Sequence, residues 1–515
     1  MTALSRGGAA TGHGRVAHLG RLFAALALLA LVAVPLIAGP LTSPPEPASA
    51  PRVPAAAPEG TATAAPTRPP TPAPSLVAGS TNPPRRALDT AAGDDRGVVT
   101  GAKPGLVPGS VNATSLELTA EYDVKLSLNF VTRAFNTRTT IHVRNDSGQP
   151  IDRLELSTYA ARLGAMKLGA VTSAGKPVTA RVHDQTIHVP LGGILGAGQS
   201  VDVTVAYSAT LRSSLSGSNW LFTKANGIVD AHRWIPWISR DVPFDRPNHG
   251  DPSVTPVSPR VRVAITSDRA LVYASTGEPV AKSGLTTTLE ATNVRDFVFT
   301  AAPDYKSISS TVGGVTVRVY YRPGFPASSV LAQAKHAILS YEPLVGDYPY
   351  PVYDVAQSAG GYGMESPGLT WIPTGVGSSN LAYLVHHETA HQWFYAIVGN
   401  DQAYEPFTDE AVTDFLARYV LGQKRASRCS TARLDLSIYR YSSSCYYEVV
   451  YIQGGNFIDD LRRTMGSTQF WNGLRAYIDK SEYGIAPMKR LLETLDNHTS
   501  KDLVPRYESR FPGVY

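Results

Sequence analysis

The chain has 515 residues, too many for one domain, and its hydrophobic content of 43% is that of an ordinary globular protein. Its net charge of +5 sits almost wholly in residues 1–110, which hold nine Arg or Lys and five Asp or Glu. That placement gives no ground for nucleic-acid binding and fits a leader at a membrane surface; no phosphate-cradling glycine loop, Gly-x-Ser-x-Gly elbow or internal repeat is present.

Residues 1–21 carry Arg6, Arg15 and Arg21 and no acid, and Leu22 to Ala38 is uncharged and almost wholly apolar. A basic region followed by an apolar core predicts a signal anchor or signal peptide over residues 1–39, with the remainder outside the cytoplasm. The protein is then either released or held at the membrane by the uncleaved apolar segment. Fourteen of the 39 prolines fall between Pro40 and Pro84, among Ala, Thr and Ser. Residues 40–111 are therefore expected to be an extended linker, because such a composition buries no core.

The texture changes near Leu116. Val124 to Phe130, Thr139 to Val143, Val201 to Tyr207 and Val261 to Thr266 alternate or are rich in β-branched residues, with Gly, Asn, Asp and Pro between them. An antiparallel β domain is expected over 112–305. It contains the aromatic, proline-rich segment Arg233-Trp234-Ile235-Pro236-Trp237, running on to Pro247. His232 and His249 flank it and are read as structural, since isolated loop histidines seldom bind metal.

A second domain is expected over 306–515. Val315 to Tyr321 alternates, and Ser329 to Val345 reads as a helix. Gly360 to Leu369 is glycine-rich, and a strand edge there could lie along a bound peptide with Glu365 projecting into a cleft. Leu381 to Val398 repeats its apolar residues at helical spacing and carries His387-Glu388-Thr389-Ala390-His391. Two histidines four apart lie on one helix face, one turn from each other, so both imidazoles can reach one metal ion. Glu388 then points at the metal's water rather than at the metal. A second helix starting at Thr408 would bring Glu410, nineteen residues after His391, to the pair as third ligand. This is the ligand set of a catalytic zinc site with one Zn2+ per chain. Cys429 and Cys445 lack metal-ligand spacing and are expected to form a disulfide if the domain is exported. Tyr446 to Met465, Phe470 to Ile478 and Met488 to Leu495 read as further helices.

The order of these motifs resembles the aminopeptidase N family of zinc metallopeptidases over roughly residues 115–515. That family carries His-Glu-x-x-His and then a Glu nineteen residues on, here His387, Glu388, His391 and Glu410. Its upstream Gly-Ala-Met-Glu-Asn is matched by Tyr362-Gly363-Met364-Glu365-Ser366, with Ser in place of Asn. Its downstream Tyr-x-Lys-Gly-Ala is matched by Tyr451-Ile452-Gln453-Gly454-Gly455, with Gln in place of Lys. The resemblance implies an α+β architecture, a β domain followed by a thermolysin-like, mostly helical zinc peptidase domain. It also implies a short form without the family's C-terminal helical domain. By resemblance, Glu365 binds the substrate's α-amine beside Gly363 and Met364, and Tyr451 donates its hydroxyl to the oxyanion. A peptide is then the substrate and no nucleic-acid partner is expected; the sequence leaves the oligomeric state open. Three functions follow: an exported zinc aminopeptidase, an endopeptidase or related hydrolase on the same site, and a non-catalytic, wall-facing binding protein with a structural metal.

Overall fold

The computed structural model describes residues 105–244 and 252–515. The expected leader at 1–39, most of the expected linker, and Asp245, Arg246, Pro247 and His249 lie outside these residues. Among the described residues no helix is long and apolar enough to cross a membrane.

Residues 105–302 build three sheets. The largest has eight strands, and its centre is formed by Val261–Ser267, Leu118–Leu128, Ala134–Asn145 and Ser200–Thr210. Its pairings are antiparallel except that Val261–Ser267 lies parallel to Leu118–Leu128. Alternation sets the faces: Tyr122, Val124, Leu126 and Leu128 are buried while Lys125 and Ser127 are exposed. The aromatic segment Arg233-Trp234-Ile235-Pro236-Trp237 becomes core. Trp234 packs edge-on against Phe135 and Phe299, and Trp237 stacks on Tyr122 at 4.1 Å.

From Lys306 a mixed five-stranded sheet follows, in the order Lys306–Val312, Val315–Tyr321, Val352–Ser358, Leu369–Pro373, Met364–Ser366. This sheet qualifies the expectation of a mostly helical second half. Val352–Ser358 pairs in parallel on both sides and is buried almost throughout, so its sequence shows no alternation to mark it as a strand. Met364–Ser366 forms the sheet's outer strand, antiparallel to Leu369–Pro373. Helices then fill the rest: Ser378–Ala390, Phe407–Leu421, Gly454–Met465, Ser467–Ser481 and Met488–Asp496, after the earlier Ala327–Val345.

Two boundaries differ from expectation. The first histidine helix ends at Ala390, and Gln392–Ile397 is an irregular wide turn with Phe394 and Tyr395 outside helical geometry. Tyr395 leaves the helical path while its hydroxyl bonds to Asp296 and Arg233 in the β half. Tyr447–Gln453, which carries Tyr451, is likewise a widened turn ahead of Gly454–Met465. Gly454 and Gly455 let it close on the Phe407–Leu421 helix: a Cβ at Gly454 would lie 2.6 Å from the Ala411 Cβ, and one at Gly455 2.6 Å from Asp414 Oδ2.

Candidate metal and peptide site

His387 and His391 lie on consecutive turns at the end of Ser378–Ala390, and Glu410 is in the first turn of Phe407–Leu421. That second helix stops at Gly422, whose left-handed conformation caps the Arg418 and Tyr419 carbonyls. The packed helices bring three atoms into a triangle. His387 Nε2 lies 3.3 Å from His391 Nε2, and Glu410 Oε2 lies 3.3 Å and 3.5 Å from the two nitrogens. Tetrahedral zinc with bonds of about 2.0–2.1 Å requires ligand separations of about 3.3–3.4 Å, so these residues fit the ion. The three side chains are 6%, 1% and 12% exposed. Three side chains so deeply placed, each turning one ligand-capable atom to the same point, suit a bound cation.

The neighbours set protonation. His391 Nδ1 bonds to the Phe394 carbonyl at 3.1 Å and lies 2.6 Å from Asp409 Oδ1, so that nitrogen is occupied on the far side and Nε2 is left to ligate. Burial opposes charge on His391, but Asp409 and Glu365 outweigh it and raise its pKa. Burial lowers the pKa of His387, favouring the neutral form that binds metal. Burial also opposes charge on Glu410, yet the two imidazoles hold its carboxyl down at about 2. Tyr451 donates its hydroxyl to Glu410 Oε1 at 2.5 Å, and its ring lies nearly parallel to His387 with centroids 5.5 Å apart. Burial first, then the Glu410 charge, raises the Tyr451 pKa, so it remains a proton donor.

Glu365 and Glu388 reach the same place: one oxygen of each and one His391 nitrogen lie within 4.8 Å of one another. The upstream motif is pressed against the helix. A Cβ on Gly363 would lie 2.2 Å from Glu388 Oε1 and 2.8 Å from Leu384 Cδ1, so glycine lets that carboxylate sit where it does, and a larger residue would make it shift. Met364 is buried and pairs across the strand with Trp371. Gln392 ties the hairpin down: its amide donates to the Ser366 carbonyl at 2.9 Å and accepts from the Gly368 N–H at 2.8 Å.

Several bonds here carry no sequence signal. Ser366 donates to Asp296 Oδ1 at 2.5 Å, and Tyr395 donates to Asp296 Oδ2 at 2.5 Å. Arg233 donates to Tyr395 and to Gln402, each at 2.9 Å. Each link joins side chains remote in sequence, so no local pattern could reveal it. Asp409 had a weak signal, an acid beside the expected ligand. His232 is structural as expected: it is buried, takes a hydrogen bond from Arg233 Nε at 3.2 Å, and packs against Tyr159 and Trp371. Cys429 and Cys445 are joined in a disulfide.

No protein-family model matches the chain. The mitochondrial aminopeptidase 2 of Saccharomyces cerevisiae is 22% identical over 441 residues, covering 74% of this chain and 44% of that protein. The chain thus spans under half the length of that relative. A variant of an M1 zinc metallopeptidase from Deinococcus radiodurans superposes with a TM-score of 0.60 at 19% identity, covering 76% of this chain and 94% of the other. The same kind of protein bound to a Tyr-Ser-Ala substrate gives 0.59 at 17% identity, with the same coverage. At these identities the structural likeness establishes the shared fold.

Proposed function

We propose that this chain, which has the fold of the M1 zinc metallopeptidases, is an exported zinc aminopeptidase removing residues from the amino termini of peptides. The observation that carries the reading is the closeness of Glu365 to Glu388 and His391, all within 4.8 Å through one ligand atom each. An anion beside the base and the metal ligands places a bound α-ammonium one residue from the scissile bond. His387, His391 and Glu410 would hold the zinc. When bound, zinc supplies a Lewis acid that acidifies water and polarises the carbonyl. Glu388 accepts the proton of the attacking water and returns one to the leaving amine. Tyr451 turns its O–H from Glu410 towards the developing oxyanion. The two helices carrying the ligands support a thermolysin-like reading of this half. Export rests on the basic and apolar leader, with the disulfide as support, because disulfides persist in oxidising compartments.

The test uses residues 105–515 loaded with zinc, with and without chelator. Aminoacyl fluorogenic substrates are compared with the same peptides acetylated at the amino terminus. Chelator-sensitive cleavage confined to the free-amine set is expected. Cleavage of blocked peptides would point to an endopeptidase, and zinc without cleavage to a binding role.

A further inference from the structure

We infer that Gln402 is the positioning residue that fixes Glu365 for amine recognition and couples it to the metal site, an inference that rests on the aminopeptidase reading. Gln402 is 5% exposed and lies in the loop before the Phe407–Leu421 helix. The loop itself is held. Asp401 takes two hydrogen bonds from Arg240, at 2.6 Å and 2.7 Å, and accepts from the Tyr404 N–H at 3.0 Å. The Gln402 N–H donates to the Ser253 carbonyl at 3.2 Å.

Its side-chain amide is used on both ends. Oε1 accepts from Arg233 Nη2 at 2.9 Å, while Nε2 donates to Glu365 Oε1 at 3.2 Å and to Asp409 Oδ2 at 2.8 Å. Arginine only donates and ionised carboxylates only accept, so the amide has a single workable orientation. One neutral group therefore spans a guanidinium and two carboxylates. One carboxylate is the proposed amine anchor; the other holds the Nδ1 of His391. A shared donor limits how far Glu365 can swing away, and a bound ammonium needs that carboxylate already in place. Arg233 is anchored in turn by Tyr395, which Asp296 fixes together with Ser366, the residue after Glu365. The strand edge and the side chain of Glu365 are thus set by one connected set of bonds.

The test is calorimetric binding of L-arginine and L-tryptophan, each beside its Nα-acetyl form, to zinc-loaded wild type, Gln402→Leu and Gln402→Met. Wild type should prefer the free amines. Each variant should lose that preference by about tenfold or more, the scale of a lost hydrogen bond to a charged group. Binding of the acetylated forms should change less than about threefold, with zinc still at one per chain, since Asp409 contacts His391 directly. A variant that folds and keeps the wild-type preference overturns the inference, and so does equal weakening of both ligand forms. Failure of both variants to fold assigns Gln402 to structure instead. A wild type indifferent to acetylation overturns the amine-anchor reading beneath it, a result separable from all of these.

Discussion

Glu388 lies against Gly363, and in the proposed mechanism Glu388 is the base and Gly363 leaves the space for it. Glu388 stands outside the ligand triangle, so Glu388→Gln is expected to retain about one zinc per chain, measured by metal analysis, and to lose peptide hydrolysis by several orders of magnitude. Loss of zinc in that variant would place Glu388 among the ligands. Gly363→Ala would put a methyl 2.2 Å from Glu388 Oε1, so the carboxylate or the strand must shift. Its kcat should drop at least about tenfold, because a 1 Å misplacement of a reacting group costs on the order of a hundredfold. Zinc binding should persist, which distinguishes this effect from damage to the ligand set. Tyr451→Phe should cost about a hundredfold in kcat with little change in KM, as expected for a donor used in the transition state.

At the scale of elements, the wide turn Tyr447–Gln453 aims Tyr451, and the disulfide steadies it. Cys445 lies two residues before the turn, while Gln453 at its far end donates to the Cys429 carbonyl at 2.7 Å and accepts from Arg510 at 2.9 Å. Both ends of the turn are therefore tied to the loop that the disulfide closes. A bridge over a separation of 16 residues is worth about 3 kcal/mol through the unfolded chain. Cys429→Ser with Cys445→Ser should lower the thermal midpoint by several degrees and reduce kcat more than zinc content, read by calorimetry beside kinetics. An unchanged kcat would mean that the turn holds its shape without the bridge.

At the scale of the whole molecule, Asp230 links the β half to the five-stranded sheet of the second half, just past Val352–Ser358. It is buried on the strand Ile228–Ala231 and accepts from the Ala359 N–H at 2.8 Å and from the Thr300 hydroxyl at 2.6 Å. Thr300 meets the Tyr305 hydroxyl at 3.0 Å, and that hydroxyl donates to the Gln357 carbonyl. Burial pushes the Asp230 carboxyl up to about 7, against the pull of the hydrogen bonds it accepts from Thr300 and Ala359. The folded pKa lies above the unfolded value of about 3.9, so this stabilisation is complete below about pH 4 and lost as pH rises through 7. At ~1.4 kcal/mol per pH unit it amounts to at most ~4 kcal/mol. Asp230→Asn mimics the protonated acid, with its amide donating to Thr300 and its oxygen accepting from Ala359. Denaturant titrations should show a flatter pH dependence between 4 and 7 for the variant, and higher stability than wild type above pH 7. An identical slope in both proteins would mean that Asp230 is ionised throughout.

How much of this was legible beforehand follows from the range of each interaction. The helix of His387 and His391, the helix of Glu410 and the alternating strands were written in local periodicity, because one face of each must meet the core. The clustering of the proposed metal ligands was legible for the same reason: helical spacing alone puts two histidines on one face. The parallel strand Val352–Ser358 was not, since burial on both sides erases its pattern. Nor were the ends of the helices at His391 and Gln453, where Tyr395 and the glycine contacts override helical propensity. The motif around Glu365 and its strand edge were visible, but not the way Gln392, 26 residues along the chain from Ser366, ties that edge down. Gln402 lies furthest from sequence reasoning. Its partners are 169, 37 and 7 residues away, and only the tertiary structure brings a guanidinium and two carboxylates to one amide. The sequence by itself determined the chemistry of the metal centre, since its groups sit on two adjoining helices. The tertiary structure decided how Glu365, the proposed amine anchor, is held, because that depends on hydrogen bonds between halves of the chain that share no local pattern.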